Sequence, residues 1–297
     1  MLYDRSKMKK IIILMPVFND WESLSKVLNE INIVIEDIKN FEFKCIVIND
    51  CSSTEGINIT KPKNLTSLKI INMKENKGHA RCNALGLRYI NSNEDYDFVI
   101  VMDSDGEDRP VEIKLLIKKI IEDPENSVVA KRIKRSEGFL FQFLYQIHKL
   151  ITFLFTGKKI NFGNYSCLTK KDVNILSEKA SLWSSFSGSV KKHLTNFNET
   201  NSIRGLRYFG PSKMSILNLT IHSFSIIAVF KYTVFLRSTI IILLLSLLGN
   251  FLGLYSLLLQ IALVVFNLII FIVSLRENKD QLIISKQNIL NEKSITH

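Results

Sequence analysis

Four carboxylates fall within six positions in the segment Asp103-Ser104-Asp105-Gly106-Glu107-Asp108-Arg109-Pro110, directly after the apolar run Phe98–Met102. Adjacent residues on an extended strand point to opposite faces, so Asp103 and Asp105 point the same way. Carboxylates that converge at a strand end repel unless something positive lies between them. A hard cation, Mg²⁺ or Mn²⁺, shared with the phosphates of a substrate is the natural occupant. A lone D-x-D also occurs in solvated turns, but here it has company. The run Lys10–Met15 ends in Pro16-Val17-Phe18-Asn19-Asp20 and the run Phe43–Ile48 in Asn49-Asp50-Cys51-Ser52-Ser53. Leu68–Met73 leads to Asn76-Lys77-Gly78-His79-Ala80-Arg81. Asn76, Gly78 and His79 open a helix whose N-terminal amides favour an anion, with Gly78 placed for backbone approach and His79 either a site residue or a polar cap.

These ends need a scaffold. Strands are expected over Lys10–Met15, Phe43–Ile48, Leu68–Met73, Phe98–Met102 and Ser127–Ala130. Trp21, Leu24, Val27, Leu28, Ile31 and Ile35 form one stripe at helical spacing, and Ala80–Tyr89 and Val111–Ile121 also read as helices. Strand–helix alternation implies an α/β fold with a mostly parallel sheet covered on both faces, which binds ligands where its strands end.

The rest of the chain points to a membrane. From Ser238 to Leu275 there are 38 residues without Asp, Glu, Lys or Arg. As one helix this run would measure ~57 Å against a hydrocarbon core of ~30 Å, so two spans with a break near Gly249-Asn250 or Gly253 fit better. Lys231 and Arg237 flank one end, Arg276 and Lys279 the other, which puts both ends in the cytoplasm. The expected units are a cytoplasmic domain (1–213), a juxtamembrane interfacial helix (214–236), a transmembrane hairpin (237–275) and a polar, frayed tail (276–297). The 297 residues are 46% apolar and carry a formal charge of +11, which excludes a disordered chain and suits phosphate-bearing partners or an anionic bilayer. Nine Lys/Arg against one acid between Lys131 and Lys171, interleaved with Phe139, Phe141, Phe143 and Tyr145, suit a bilayer surface better than a nucleic-acid groove. The four cysteines form no C-x-x-C pair and read as free thiols.

The ordered segments PVFND, INDCSS, NKGHARCNALGL and MDSDGEDRP resemble the GT-A domain of family 2 glycosyltransferases. The similarity is greatest to the membrane-anchored polyprenyl-phosphate glycosyltransferases of the dolichyl-phosphate mannose synthase type. It covers residues 9–215 and includes Arg207-Tyr208-Phe209-Gly210-Pro211-Ser212-Lys213, which matches an R-x-x-G-x-S-K segment. The resemblance implies metal ligation by Asp103, Asp105 and Glu107. It implies donor binding by Pro16, Phe18, Asp20 and Asp50, with Arg132 on a phosphate. Asp20 has a competing role as N-cap of the helix beginning at Trp21. The acceptor phosphate would meet Arg207, Ser212 and Lys213, with Arg135 a further candidate that also fits a membrane belt.

The expected reaction is inverting transfer of a sugar from a nucleotide sugar to a polyprenyl phosphate, at the cytoplasmic face of a bacterial inner membrane. An ionised lipid phosphate needs no strong base. If a hydroxyl of a lipid-linked or cell-surface glycan accepts instead, Asp108 is the base, unless it caps the helix near Pro110. A processive synthase is disfavoured because Q-x-x-R-W is absent, and a non-enzymatic scaffold because Asp103 and Asp105 are intact. No nucleic-acid partner is expected, and a homo-oligomer stays open.

Overall fold

The computed structural model describes residues 8–54, 59–134, 139–210 and 216–296. In chain order the first elements are β1 (Lys9–Val17), α1 (Trp21–Glu36), β2 (Phe41–Asn49), β3 (Ser67–Met73), α2 (His79–Asn93) and β4 (Phe98–Val101). A short 3-10 turn (Pro110–Glu112) leads into α3 (Ile113–Glu122), then β5 (Val128–Lys134), α4 (Phe139–Thr156) and β6 (Phe162–Thr169). Next come α5 (Lys170–Ser177), α6 (Ala180–Ser184), α7 (Phe186–His193) and β7 (Asn198–Ile203). The last part comprises α8 (Ile216–Ala228), α9 (Lys231–Leu247), α10 (Gly249–Leu252), α11 (Leu254–Ser274), α12 (Lys279–Ile283) and β8 (Ile289–Ile295).

One sheet in the order β7-β5-β6-β4-β1-β2-β3-β8 organises the chain. The pairs β1–β2, β1–β4, β2–β3 and β5–β7 are parallel, whereas β6 runs antiparallel to β4 and β5. β1 explains how two cores share one strand. Ile11, Ile13, Met15 and Val17 face α1 and α3, while Ile12 and Leu14 face α2 and α5–α7. Every residue from Ile11 to Val17 is buried, so this central strand reads as an unbroken apolar run rather than an alternation. α2 lies so close to β1 that a Cβ at Gly86 would come within 2.4 Å of the Leu14 side chain.

All five expected strands and three expected helices form, but three strands carried no readable signal. β6 joins the sheet centre through Cys167 and Leu168, both buried, and β7 pairs with β5 although its sequence is Asn-Glu-Thr-Asn-Ser-Ile. The tail is not frayed. Residues after α11 return to the sheet, and β8 pairs antiparallel with β3 from Leu68/Ile295 to Met73/Ile289. Lys69 Nζ lies 2.8 Å from both the Tyr89 hydroxyl and Glu94, and Tyr89 donates to Glu292, which ties β8 to α2. These side-chain bonds replace the burial that β8 lacks.

α4, α8, α9 and α11 form a separate helical unit around Phe155, Ile227, Val234 and Ile270. α9 and α11 run antiparallel: Ser256 Oγ donates to the Leu245 carbonyl at one end, and Lys231 lies 3.5 Å from Glu277 at the other. The break falls where expected, with Gly253 in the left-handed region at φ 53°. The interfacial helix expected over 214–236 is instead interrupted at Val229-Phe230, and α8 and α9 meet at 84°. Among the described residues, α11 is the one unbroken helix long and apolar enough to cross a membrane, and α8 with α9 forms a bent pair that passes as a second crossing if taken as one span. The uncharged run thus comprises most of α9, α10 and all of α11.

Candidate active site

The site lies where the order of the parallel strands reverses. β2 and β4 flank β1 on opposite sides, and the loops leaving these strands converge on the opening of α2. Ser104 donates to the carbonyl of buried Pro16 at 2.6 Å, which locks the metal-motif loop to the end of β1. Three ligand oxygens, one each from Asp103, Asp105 and Glu107, lie within 4.8 Å of one another. An all-oxygen carboxylate set of this size suits a hard divalent cation.

Each acid is held by identifiable partners. Asp103 Oδ1 is 3.2 Å from His79 Nε2 and accepts from Asn164 Nδ2 at 3.2 Å. Asp105 uses one oxygen for the Glu107 amide at 3.0 Å and the other for Arg207 Nη1 at 2.8 Å. Glu107 pairs with Arg204. Asp108 is 3% exposed; it accepts from the Asp103 amide at 3.0 Å and lies 3.7 Å from Arg132. Its carboxylate therefore braces the loop and caps no helix. The 3-10 turn and α3 begin at Arg109 and Glu112 without side-chain capping. Gly163 makes room for Arg132, because a Cβ there would lie 2.6 Å from its Nη2.

Charge in this cluster is unevenly distributed. Burial would raise Asp103, but His79, Arg132 and Arg204 hold it well below the usual carboxylate range. Asp105 is pushed up by burial and by Asp103 and Glu107, and Asp108 by burial and Asp103. Burial lowers His79, yet Asp103, Asp105 and Asp108 together raise it above an ordinary imidazole. Asp103 thus stays ionised while burial holds Asp105 and Asp108 above the ordinary carboxylate range, and a divalent ion bound here would favour the charged form of each.

Several expected roles are redistributed. Asp20 is the residue before α1 but makes no capping hydrogen bond; its carboxylate pairs with Arg207. Arg207, expected at the acceptor phosphate, thus bridges Asp20 and Asp105. Asp50 accepts the amides of Lys77 (2.8 Å) and Gly78 (2.9 Å) on its two oxygens, so these donors at the opening of α2 point at the protein's own carboxylate rather than at a substrate anion. Asn76 reinforces the same junction by donating to the Asp50 carbonyl at 3.2 Å. Gly78 is required by its φ of 87°, not by crowding, since a Cβ there would meet nothing within 4 Å. Phe18 stands exposed at the end of β1. Arg135, Ser212 and Lys213 lie outside the described residues.

Sequence reasoning missed Arg204, Asn164 and Tyr208. The Tyr208 ring packs on Gly106 and its hydroxyl donates to Glu30 at 2.5 Å. Arg204 lies in the same polar stretch as Arg207, three residues away, which is the one signal that could have flagged it.

A family model described as glycosyl transferase family 2 matches residues 12–184. The chain belongs to this family. A 170-residue stretch is 24% identical to undecaprenyl-phosphate 4-deoxy-4-formamido-L-arabinose transferase of Salmonella choleraesuis (strain SC-B67), covering 57% of this chain and 50% of that enzyme. The match thus spans about half the length of that curated relative. Among solved structures, mannosyl-3-phosphoglycerate synthase from Rubrobacter xylanophilus superposes with a TM-score of 0.55 at 12% identity, covering 74% of this chain and 72% of that one. Glucosyl-3-phosphoglycerate synthase from Mycobacterium tuberculosis, in complex with Mn²⁺, UDP-glucose and phosphoglyceric acid, gives 0.53 at 14% identity, with coverages of 76% and 80%. At such identities the likeness is one of fold, and that fold is GT-A. In this family 2 chain the acid cluster sits at the end of β4, outside the sheet core.

Proposed function

We propose that this glycosyltransferase transfers a sugar from a nucleotide-sugar donor to a polyprenyl phosphate at the cytoplasmic face of a bacterial inner membrane, with inversion at the anomeric carbon. One observation carries the choice of acceptor. Arg207 lies in the loop laced to the acid cluster, and Ile216 opens α8 of the apolar unit. Nine residues of chain reach at most ~32 Å, so the backbone of acid-bound Arg207 lies within that distance of an apolar helix. In a bilayer holding that helix, phosphate head groups would come within the same reach.

Asp103, Asp105 and Glu107 would hold Mg²⁺ or Mn²⁺. Bound there, the ion would supply positive charge to the departing nucleoside diphosphate. Phe18 would border the nucleotide, while Asp50 shapes the pocket through the Lys77-Gly78 turn. Arg132 would add charge on the phosphate side. Arg207, Ser212 and Lys213 are the acceptor candidates, and a lysine can bind a lipid phosphate as a point charge. Asp108 suits positioning, because its oxygens face the Asp103 amide and Arg132. α11, with α8 and α9 as a bent second crossing, would anchor the enzyme in the bilayer. In this arrangement β8 keeps the returning chain on the catalytic side.

The test uses purified protein in lipid nanodiscs with Mn²⁺ and a panel of radiolabelled nucleotide sugars. Undecaprenyl phosphate and a lipid-linked saccharide are offered separately. Label in undecaprenyl phosphate is the expected result. Label in the saccharide alone would replace this reading with glycan extension, for which Asp108 would have to act as base.

A further inference from the structure

The loop after β7 lies along the metal-motif loop as a strap. The Gly205 amide donates to the Glu107 carbonyl at 2.8 Å, and the Tyr208 amide donates to the Asp105 carbonyl at 3.0 Å. Tyr208 is fastened further by its bond to Glu30, and Lys26 sits 4.2 Å above its ring. The fit is close. A Cβ at Gly205 would lie 2.6 Å from the Gly106 carbonyl, and one at Gly106 would lie 2.6 Å from the Tyr208 ring.

This strap delivers guanidinium groups to the acids a cation would use. Arg204 pairs with Glu107, and Arg207 reaches Asp105 and Asp20 together. Asp105 accepts the Glu107 amide on one oxygen and Arg207 on the other, so a divalent ion there would share the carboxylate with a guanidinium of like charge. Like charges at one carboxylate repel, so an ion at Asp105 favours release of Arg207, and a side chain moves more readily than the backbone of its own loop. Two charges on a compact ion outcompete one delocalised over a guanidinium at the same carboxylate. Once displaced, Arg207 is a planar fork suited to bidentate contact with phosphate, held in place by the backbone bonds of the strap.

We propose that Arg207 and the divalent cation compete for Asp105, so that cation binding turns Arg207 from a counter-ion of the acid cluster into a ligand for a phosphate group of the substrate. The inference rests on the metal assignment made above, and it makes acceptor capture conditional on the metal.

The experiment measures Mn²⁺ binding itself, by calorimetry or by the loss of free-ion paramagnetic resonance, on the full chain in nanodiscs without substrate. Arg207→Gln and Arg207→Ala should bind Mn²⁺ about tenfold more tightly than the unaltered protein, the value of one charge-assisted hydrogen bond. In the unaltered protein, Mn²⁺ should speed modification of the Arg207 guanidinium by phenylglyoxal, read by peptide mass spectrometry. Binding by both folded variants that is equal to or weaker than wild type, or an unchanged modification rate at Arg207, would overturn the competition while leaving the metal site standing. Failure of every form to bind Mn²⁺ would remove the metal assignment and this inference together. If Arg207→Ala does not fold, Arg207→Gln and the modification assay decide the matter.

Discussion

At the acid-bearing end of the sheet, charged groups are buried; in the helices after Ile216, apolar groups are exposed. Asp50 and Asp108 are each 3% exposed, whereas Leu247 is 79% and Phe251 89% exposed. Each is costly in water, for opposite reasons. A buried carboxylate must be paired or hydrogen-bonded, so every acid at the site has a donor or cation within reach. An exposed leucine face needs a different solvent, and α9 and α11 cover one another along only one side. The acid end can thus be changed by a small ligand that re-pairs its charges, whereas the helical unit responds only to its medium. The proposed transfer, from a donor in water to an acceptor in lipid, would use both kinds of region.

The most damaging way to break this comparison is to remove charge from the acid end alone. Asp103→Asn and Asp105→Asn keep the side-chain shape but not the cation-holding charge. Each should lower turnover by at least ~10²-fold, the scale of losing one preorganised electrostatic element. Thermal unfolding and membrane retention should stay near those of the unaltered protein. Near-normal transfer by both variants, or by the unaltered protein in EDTA, would detach the acids from catalysis.

The complementary change puts charge into the helical unit. Val264, 58% exposed at the middle of α11, would tolerate lysine in water within ~0.5 kcal/mol, but at mid-bilayer the cost is ~3 kcal/mol. Val264→Lys should increase extraction by alkaline carbonate and leave Mn²⁺ affinity unchanged. Stable, monodisperse protein without detergent, in both forms, would show that α11 needs no lipid.

How legible each region is in the sequence follows the same division. β1 and β4 could be read because strands buried on both faces must be apolar throughout, and α1 because its stripe repeats at helical spacing. β7 and β8 could not: their residues are mostly polar, and pairing with β5 and β3 decides their conformation. At the site, the acids were visible because Asp103, Asp105 and Glu107 are close in sequence. Asn164 and Arg204 reach their partners across 61 and 97 residues, a relation no local pattern encodes. Asp20 and Arg207 were chosen by type and placement, but that they would choose each other required the fold.

β8 offers a smaller test, since it belongs to neither extreme. Glu292→Ala removes the acceptor of the Tyr89 hydroxyl while leaving Lys69 on Glu94. The expected cost is ~1 kcal/mol, the net worth of one partly exposed hydrogen bond. It should appear as a lower unfolding temperature and faster amide exchange over 289–295, with transfer retained. Unchanged exchange in β8 would mean that strand pairing alone holds the tail.

The smallest expected effect concerns the joint between the two regions. α7 connects them: Lys192 donates to the Val229 carbonyl at the bend between α8 and α9, at 2.7 Å. Next to it His193 lies 2.9 Å from Ser181 Oγ, and burial, with Lys192 and Lys179 adding repulsion, lowers its pKa to about 4 from an ordinary 6.5. Above pH 6.5 both folded and unfolded chains carry a neutral ring and the histidine has no pH-dependent effect. As pH falls from 6.5 toward 4 the unfolded chain takes up a proton that the folded chain refuses, so stability is lost across that window and levels off below it. His193→Gln retains a hydrogen-bonding group for Ser181 but does not titrate. Its unfolding temperature should therefore fall less between pH 7 and pH 4.5 than that of the unaltered protein, with the two curves meeting in slope above pH 7. Parallel curves over the whole range would mean that His193 is solvated when folded, and that the joint is looser than the packing of α7 against α8 indicates.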